Sequence, residues 1–171
     1  VGIIIRRFLR PRRCILVETD RGLRVKTRRG RGGEVANITL EDCLLDRVAM
    51  PLVINSFYFC DADGRSDYVQ SRQPLPVNDA TPRISGITIR NVQARNVGVA
   101  AAAFYGLPEA PVKNITIENY RVTFDPHAVA DAPDMACHME PVRHAGIISE
   151  NAAFLKKEGI VLSTISQSIA V

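Results

Sequence analysis

The sequence predicts an all-β chain wound as a parallel β-helix, and three observations carry that expectation. A seven-residue unit occurs three times, as Asn37-Ile38-Thr39-Leu40-Glu41-Asp42-Cys43, Gly86-Ile87-Thr88-Ile89-Arg90-Asn91-Val92 and Asn114-Ile115-Thr116-Ile117-Glu118-Asn119-Tyr120. In each unit two aliphatics flank a threonine, so period-two alternation buries one face and turns Thr39, Thr88 and Thr116 to the other. Each unit then reaches Asp42, Asn91 or Asn119, short polar residues that accept the left-handed backbone region better than other non-glycine residues. Like residues at like places predict rungs stacked one on the next.

Taken in order, the elements are these. Leu23-Arg24-Val25-Lys26 alternates apolar and cationic residues and reads as a strand with Leu23 and Val25 inward. The first repeat strand follows at 37–43, and a second strand of the same rung is expected at 48–55. Residues 56–83 carry Pro74, Pro76 and Pro82 among many polar residues and read as a long insertion, the kind that walls a groove beside a solenoid. After the repeat at 86–92, residues 97–105 include Ala100-Ala101-Ala102-Ala103, which in isolation favours helix. Its place one turn after a repeat strand predicts strand instead. The third repeat, at 114–120, precedes an irregular stretch at 125–143 with Pro126, Pro133 and Pro141. Residues 152–171 repeat no rung and read as a frayed strand or a helix. With a rung of about 25 residues, the first repeat offset corresponds to a double step and the second to a single one.

A chain of 171 residues is one domain able to bury a real core. Its charge is uneven. Residues 1–33 hold 11 of the 22 Lys and Arg against two acids, Glu18 and Asp20, whereas the remainder holds 11 cations against 16 acids. A local basic patch points to an anion at one end, with a solvated edge strand whose charges deter pairing as the alternative for Arg24 and Lys26. Arg28-Arg29-Gly30-Arg31-Gly32-Gly33 also has the composition of a nucleic-acid-binding arm. Single-strand binding interleaves aromatics for base stacking, and residues 1–33 offer only Phe8, so nucleic acid is not the expected partner.

Cys14, Cys43, Cys60 and Cys137 form neither a Cys-x-x-Cys pair nor a disulfide framework. Cys137-His138, with His127 and His144, matches no zinc-site spacing. In Asp61-Ala62-Asp63-Gly64 the twelfth position of a calcium loop would be Arg72 rather than a bidentate Glu, leaving an Asp-rich turn. No metal and no cofactor are expected. There is no transmembrane run, so no membrane partner is expected, and Ile3-Ile4-Ile5 is too short for a signal peptide's apolar core.

Gly22-Leu23-Arg24-Val25-Lys26-Thr27 resembles the Arg-Ile-Lys strand of glycoside hydrolase family 28, the polygalacturonases. The longer run from Thr19 to Gly32 resembles the bacterial, often exo-acting, branch of that family. The likeness continues through Pro51-Leu52-Val53-Ile54-Asn55-Ser56-Phe57-Tyr58-Phe59-Cys60-Asp61 and Gly106-Leu107-Pro108-Glu109 and fades near Gly146–Asn151. It spans about residues 17–151, while 1–16 is an atypical segment matching nothing expected there.

The resemblance implies a right-handed parallel β-helix of the pectin-lyase-like type, truncated at its N-terminal end. It also implies an inverting hydrolase of α-1,4-galacturonan, with polygalacturonate or oligogalacturonides as partner and a monomer in the full-length form. Such an enzyme protonates the leaving oxygen with one carboxyl and activates water with others. The family carries these in an Asn-Thr-Asp segment and an Asp-Asp pair, followed by Gly-His-Gly, and this sequence has none of the three. The catalytic residues are therefore expected upstream of Val1, and this chain is expected to be inactive alone. What the resemblance leaves is recognition: Arg24 and Lys26 on the galacturonate carboxylate, and Tyr58 lining the same subsites. Arg21, Arg28, Arg29 and Arg31 either extend that cationic groove or are solvated surface charge. A catalytically inactive pectate-binding module and a basic nucleic-acid-binding arm stand as alternatives. Localisation is not legible; the family is typically extracellular or periplasmic, and a cytoplasmic site is compatible with the sequence.

Overall fold

The alternating segments pair as the repeats require. In the computed structural model, which describes residues 9–164, the chain forms β1 (Ile15–Val17), β2 (Arg21–Lys26), β3 (Glu34–Asp46), β4 (Met50–Asn55), α1 (Asp67–Gln70), β5 (Arg83–Val97), β6 (Ala100–Tyr105), β7 (Val112–Phe124), β8 (Ala145–Glu150) and β9 (Ala152–Thr164). One sheet has the order β1-β3-β5-β7-β9 and the other β2-β4-β6-β8. All seven strand pairings are parallel. The chain thus visits the two sheets alternately, one long and one short strand per coil: a parallel β-helix.

The long strands fold over a corner made by left-handed residues. Arg13, Asp42, Asn91, Asn119 and Gly159 stack in successive rungs with φ between 49° and 61°. Asn91 Nδ2 donates to Asp42 Oδ1 at 3.0 Å, and Asn119 Nδ2 donates to Asn91 Oδ1 at 2.9 Å. The side chains that tolerate the turn therefore also ladder along it. Two further left-handed rows accompany this one, Asn37/Gly86/Asn114 and Glu18/Arg47/Asn96. The last was hidden because Glu18 and Arg47 are not left-handed formers by type; Arg47 Nε donates to Glu18 Oε1 at 2.8 Å on the surface.

Inside, like sits on like. Ile38, Ile87 and Ile115 align, as do Leu40, Ile89 and Ile117, and all six are buried. Thr39, Thr88 and Thr116 align on the outward face. Beyond the corner, Cys43, Val92 and Tyr120 form another buried column, and Tyr120 Oη donates to the Ala101 carbonyl at 2.5 Å. Leu23 and Val25 of β2 point into the same core. Ala100–Tyr105 is strand, wholly buried, because small side chains fit where β6 is packed on both faces.

One expectation requires correction. The first repeat offset is a single rung, since β3 pairs directly with β5. The spacing was inflated by residues 56–83, which leave the coil and return to it within that rung: Gly30 and Gly32 amides donate to the Ala80 carbonyl, and Arg83 N donates to Gly33 O at 3.0 Å. At Gly32, φ is +57° and a Cβ would lie 2.1 Å from Asp79 O, so only glycine lets the loop dock there. Of the readings open for the C-terminal stretch, Ala152–Thr164 takes the strand, paired along β7 with register shifts near Ile115. Its mostly exposed pattern lacks inward aliphatic alternation, which is why the residues alone left strand and helix both open. Residues 165–171, and Ile3–Ile5, lie outside the described residues. Within 9–16, part of the atypical N-terminal segment, Leu9 and Arg12 bridge in parallel to Ile38 and Glu41.

Residues 125–144 cross the outer face of the short-strand sheet. Val53, Ala103 and Tyr105 on that face pack with Ala136, Met139 and Val142 from the crossing segment. Together with the 56–83 loop this segment builds walls on the side of the coil where β2 presents its cations.

Candidate functional site

Alternation on β2 sends Arg24 and Lys26 outward from the core occupied by Leu23 and Val25. Tyr58 follows β4 and is pinned to the end of β2, its amide donating to Thr27 O at 3.1 Å. Lys26 Nζ donates to Tyr58 Oη at 3.1 Å and stands 4.6 Å from the ring centroid. The guanidinium carbons of Arg24 and Arg31 lie 5.7 Å and 5.9 Å from the same centroid. The three residues singled out from the sequence, Arg24, Lys26 and Tyr58, are therefore in one cluster, with the phenol at its centre. Cations around one aromatic face are stabilised by its negative quadrupole, and the Lys26 ammonium sits closest.

The neighbouring arginines behave differently. Arg28 Nε donates to Asp61 Oδ2 at 2.8 Å and its Nη2 to Asp63 Oδ1 at 2.7 Å, while Arg31 Nη2 reaches Asp61 Oδ2 at 2.5 Å. Hydrogen bonding from Arg28 leads the effects that hold the Asp61 carboxyl below its ordinary value, with Arg31 adding to it. The Asp61-Ala62-Asp63 turn is thus an internal counter-ion for the basic run. Among the described residues no group of three or more His, Cys, Asp or Glu side chains is arranged to hold a metal ion.

Arg29 is 1 % exposed and faces Glu109 through two hydrogen bonds, Nε to Oε1 at 2.6 Å and Nη2 to Oε2 at 3.0 Å. Its Nη1 also donates to the carbonyls of Tyr68 (3.2 Å), Val69 (3.3 Å) and Ser71 (2.7 Å), around the end of α1. One arginine so ties the base of the 56–83 loop to the loop before β7. Burial pushes the Glu109 carboxyl up, but hydrogen bonds from Arg29 and the backbone outweigh it, and the net displacement is downward. Neither solvated surface charge nor an extended groove describes Arg28 and Arg29; they are structural ion pairs. Sequence spacing could not find them, because Glu109 lies 80 residues from Arg29.

Asp134 was also missed. It is wholly buried, accepts from Arg24 Nη2 and, at 3.0 Å, from Asn55 Nδ2. Asn55 in turn accepts the Phe57 amide at 2.7 Å. Arg21, the first residue of β2, donates to Pro133 O at 3.1 Å. These contacts anchor the 125–144 segment across the sheet. Beyond it a hollow of about 470 Å³ opens between the two walls, lined by Arg72, Tyr105, His138, Met139 and Glu150 among others. There Arg72 Nη1 donates to Glu150 Oε2 at 2.8 Å and its guanidinium stacks 3.7 Å over the Phe57 ring. Burial, with the Glu150 charge, raises the Tyr105 phenol to about 12.

No solved structure matches the chain. Curated relatives are similar at low identity: a polygalacturonase of Persea americana, 25 % identical over 61 % of this chain and 20 % of its own length; a polygalacturonase of Arabidopsis thaliana, 24 % identical over 64 % and 23 %; and an exopolygalacturonase of Arabidopsis thaliana, 23 % identical over 86 % and 31 %. The chain spans between a fifth and a third of the length of these relatives. The model of one family, the glycosyl hydrolases family 28, matches residues 11–138, a stretch that includes β1 to β7, the 56–83 loop and Arg24, Lys26, Tyr58 and Asp134. A match over most of the chain shows membership: the chain belongs to glycosyl hydrolases family 28.

Proposed function

We propose that this chain is the galacturonan-recognising part of a polygalacturonase-type glycoside hydrolase, and that Lys26, Arg24 and Tyr58 form the wall that meets a galacturonate unit. The observation that carries this reading is the Lys26–Tyr58 contact on the outer face of β2, flanked by Arg24, within the family-matched span. An ammonium beside a phenol suits a uronate: the cation meets the carboxylate and the aromatic ring stacks on a face of the pyranose. The sequence holds no Asp-Asp, Asn-Thr-Asp or Gly-His-Gly segment. On this reading the chain alone binds without cleaving, and the inverting chemistry belongs to residues outside it.

The nucleic-acid alternative loses ground to a specific observation. The arm it needs, Arg28, Arg29 and Arg31, is engaged by Asp61, Asp63 and Glu109. Incubation of the chain with polygalacturonate, followed by isothermal titration and a reducing-end assay, tests the reading. Salt-sensitive binding that fails with methyl-esterified polymer, with no reducing ends released, is the expected result. Hydrolysis lost on substituting an Asp between Asp20 and Asp79 would relocate the active site into this chain, and binding indifferent to salt and esterification would remove the recognition role.

A further inference from the structure

The cations of the basic run are not equivalent. Among the described residues, Arg21 is paired with Asp20, Arg24 with Asp134, Arg28 with Asp61 and Asp63, Arg29 with Glu109, and Arg31 with Asp61. Among the described residues, Lys26 alone of the six cations from Arg21 to Arg31 has no carboxylate within ion-pair distance; its polar partner is the neutral Tyr58 hydroxyl. It is also the residue of β2 that stands exposed. Arg24 is the reverse case. Its side chain is 21 % exposed, its Nη2 is committed to a carboxylate with no exposure, and its Nε is enclosed without a hydrogen-bond partner.

From this we infer that Asp134 is a specificity-determining positioning residue: it neutralises Arg24 and holds it as part of the wall, leaving Lys26 to supply the one uncompensated charge that recognises a substrate carboxylate. The inference rests on the galacturonan reading above and divides roles within that site. Asp134 is suited to the task because it cannot swing away. Both of its oxygens accept hydrogen bonds, from Arg24 and from Asn55, and Asn55 stands beside Lys26 in the β2–β4 register. An ion pair enclosed in this way also resists screening by salt, whereas the Lys26 contact, on the exposed face, is screened.

The physical consequence is a count of charges. A site with two free cations binds a polyanion with a steeper salt dependence than a site with one, because each neutralised contact releases about one counterion. Binding of polygalacturonate is measured by titration calorimetry from low to moderate salt for the native chain, K26Q, D134N and the K26Q/D134N double variant. Native binding should show a log–log salt slope of about one, and K26Q should lose that slope together with at least tenfold of affinity at low salt. D134N should bind more tightly with a slope larger by about one, and the double variant should return to the native slope because Arg24 is then unmasked. A K26Q chain that keeps the native slope overturns the inference, since Arg24 would then be carrying the charge. That outcome needs no Asp134 variant, so it stands even if D134N does not fold. An unchanged slope in a folded D134N overturns it equally. If the native chain shows no salt-dependent binding at all, both this inference and the galacturonan reading fall; the Lys26 outcome alone separates them.

Discussion

The buried columns of β3, β5 and β7 and the cationic face of β2 are held together in opposite ways. In the columns each residue rests on its own counterpart one rung away, Ile38 on Ile87 on Ile115. Around the β2 face the cations other than Lys26 are balanced by acids, most of them from elsewhere in the chain: Asp61 and Asp63 from the 56–83 loop, Glu109 from the turn before β7, Asp134 from the segment before β8. Repetition stabilises the first region locally and incrementally, whereas the second depends on two loops returning to the right place. A run that looks like an open binding patch in one dimension is, in three, mostly a set of internal ion pairs with one cation left over.

The sharpest way to break that contrast is to remove an ion-pair partner from the loop side. Glu109→Ala leaves Arg29 enclosed and uncompensated, and loss of one partner of a buried pair costs about 3–5 kcal/mol. Urea denaturation should register this as a lower midpoint. A change under about 1 kcal/mol would mean the pair behaves like a surface one. Ile87→Ala tests the column instead. It empties the middle of a three-deep stack and should cost about 2–5 kcal/mol, read from the same unfolding curves. A smaller loss would indicate that neighbouring rungs collapse into the space.

A smaller effect is expected at the corner. Asn91→Ala removes both ladder hydrogen bonds and a residue tolerant of φ 51°. It should cost about 1–2 kcal/mol, the strain of a left-handed alanine being the main part. Asn91→Gly should recover most of the loss, because glycine relieves the backbone without restoring the ladder. If glycine recovers nothing, the side-chain ladder rather than the backbone is the source.

Acid should separate the two regions by a gentler route. The folded chain holds the Asp61 and Glu109 carboxyls below their ordinary values, chiefly through hydrogen bonds from Arg28 and Arg29 respectively. Groups shifted this way contribute stability in full above the ordinary carboxylate range near pH 4, and lose it as pH falls through their lower folded values. As pH falls below about 4, the 56–83 loop should therefore become open to an acid-active protease before the strand signal in far-UV circular dichroism declines. Simultaneous loss of both would show that loop and coil unfold as one unit.

The contrast also explains what could be read from the residues. The columns, the Thr faces and the Asp42/Asn91/Asn119 corner were legible because each is written three times at matched positions. The adjacency of Arg24, Lys26 and Tyr58 was legible only through family likeness, since Lys26 and Tyr58 are 32 residues apart and nothing in their spacing joins them. The rung count between the first two repeats was misread because a loop adds residues without adding height. Strand β9 was only half legible, open between strand and helix, for a different reason: its exposed face has no partner rung among the described residues to demand apolar alternation.

By itself the sequence determined the coil: period-two burial, repeated in register, leaves stacked parallel strands as the arrangement that covers every aliphatic face at once. It also determined the sign of the charge on β2. Only the tertiary structure decided how much of that charge is free, because Coulomb pairing is set by distance in space. Asp134, 110 residues from Arg24 along the chain, neutralises it, while Lys26, two residues away, is left facing the neutral Tyr58 hydroxyl.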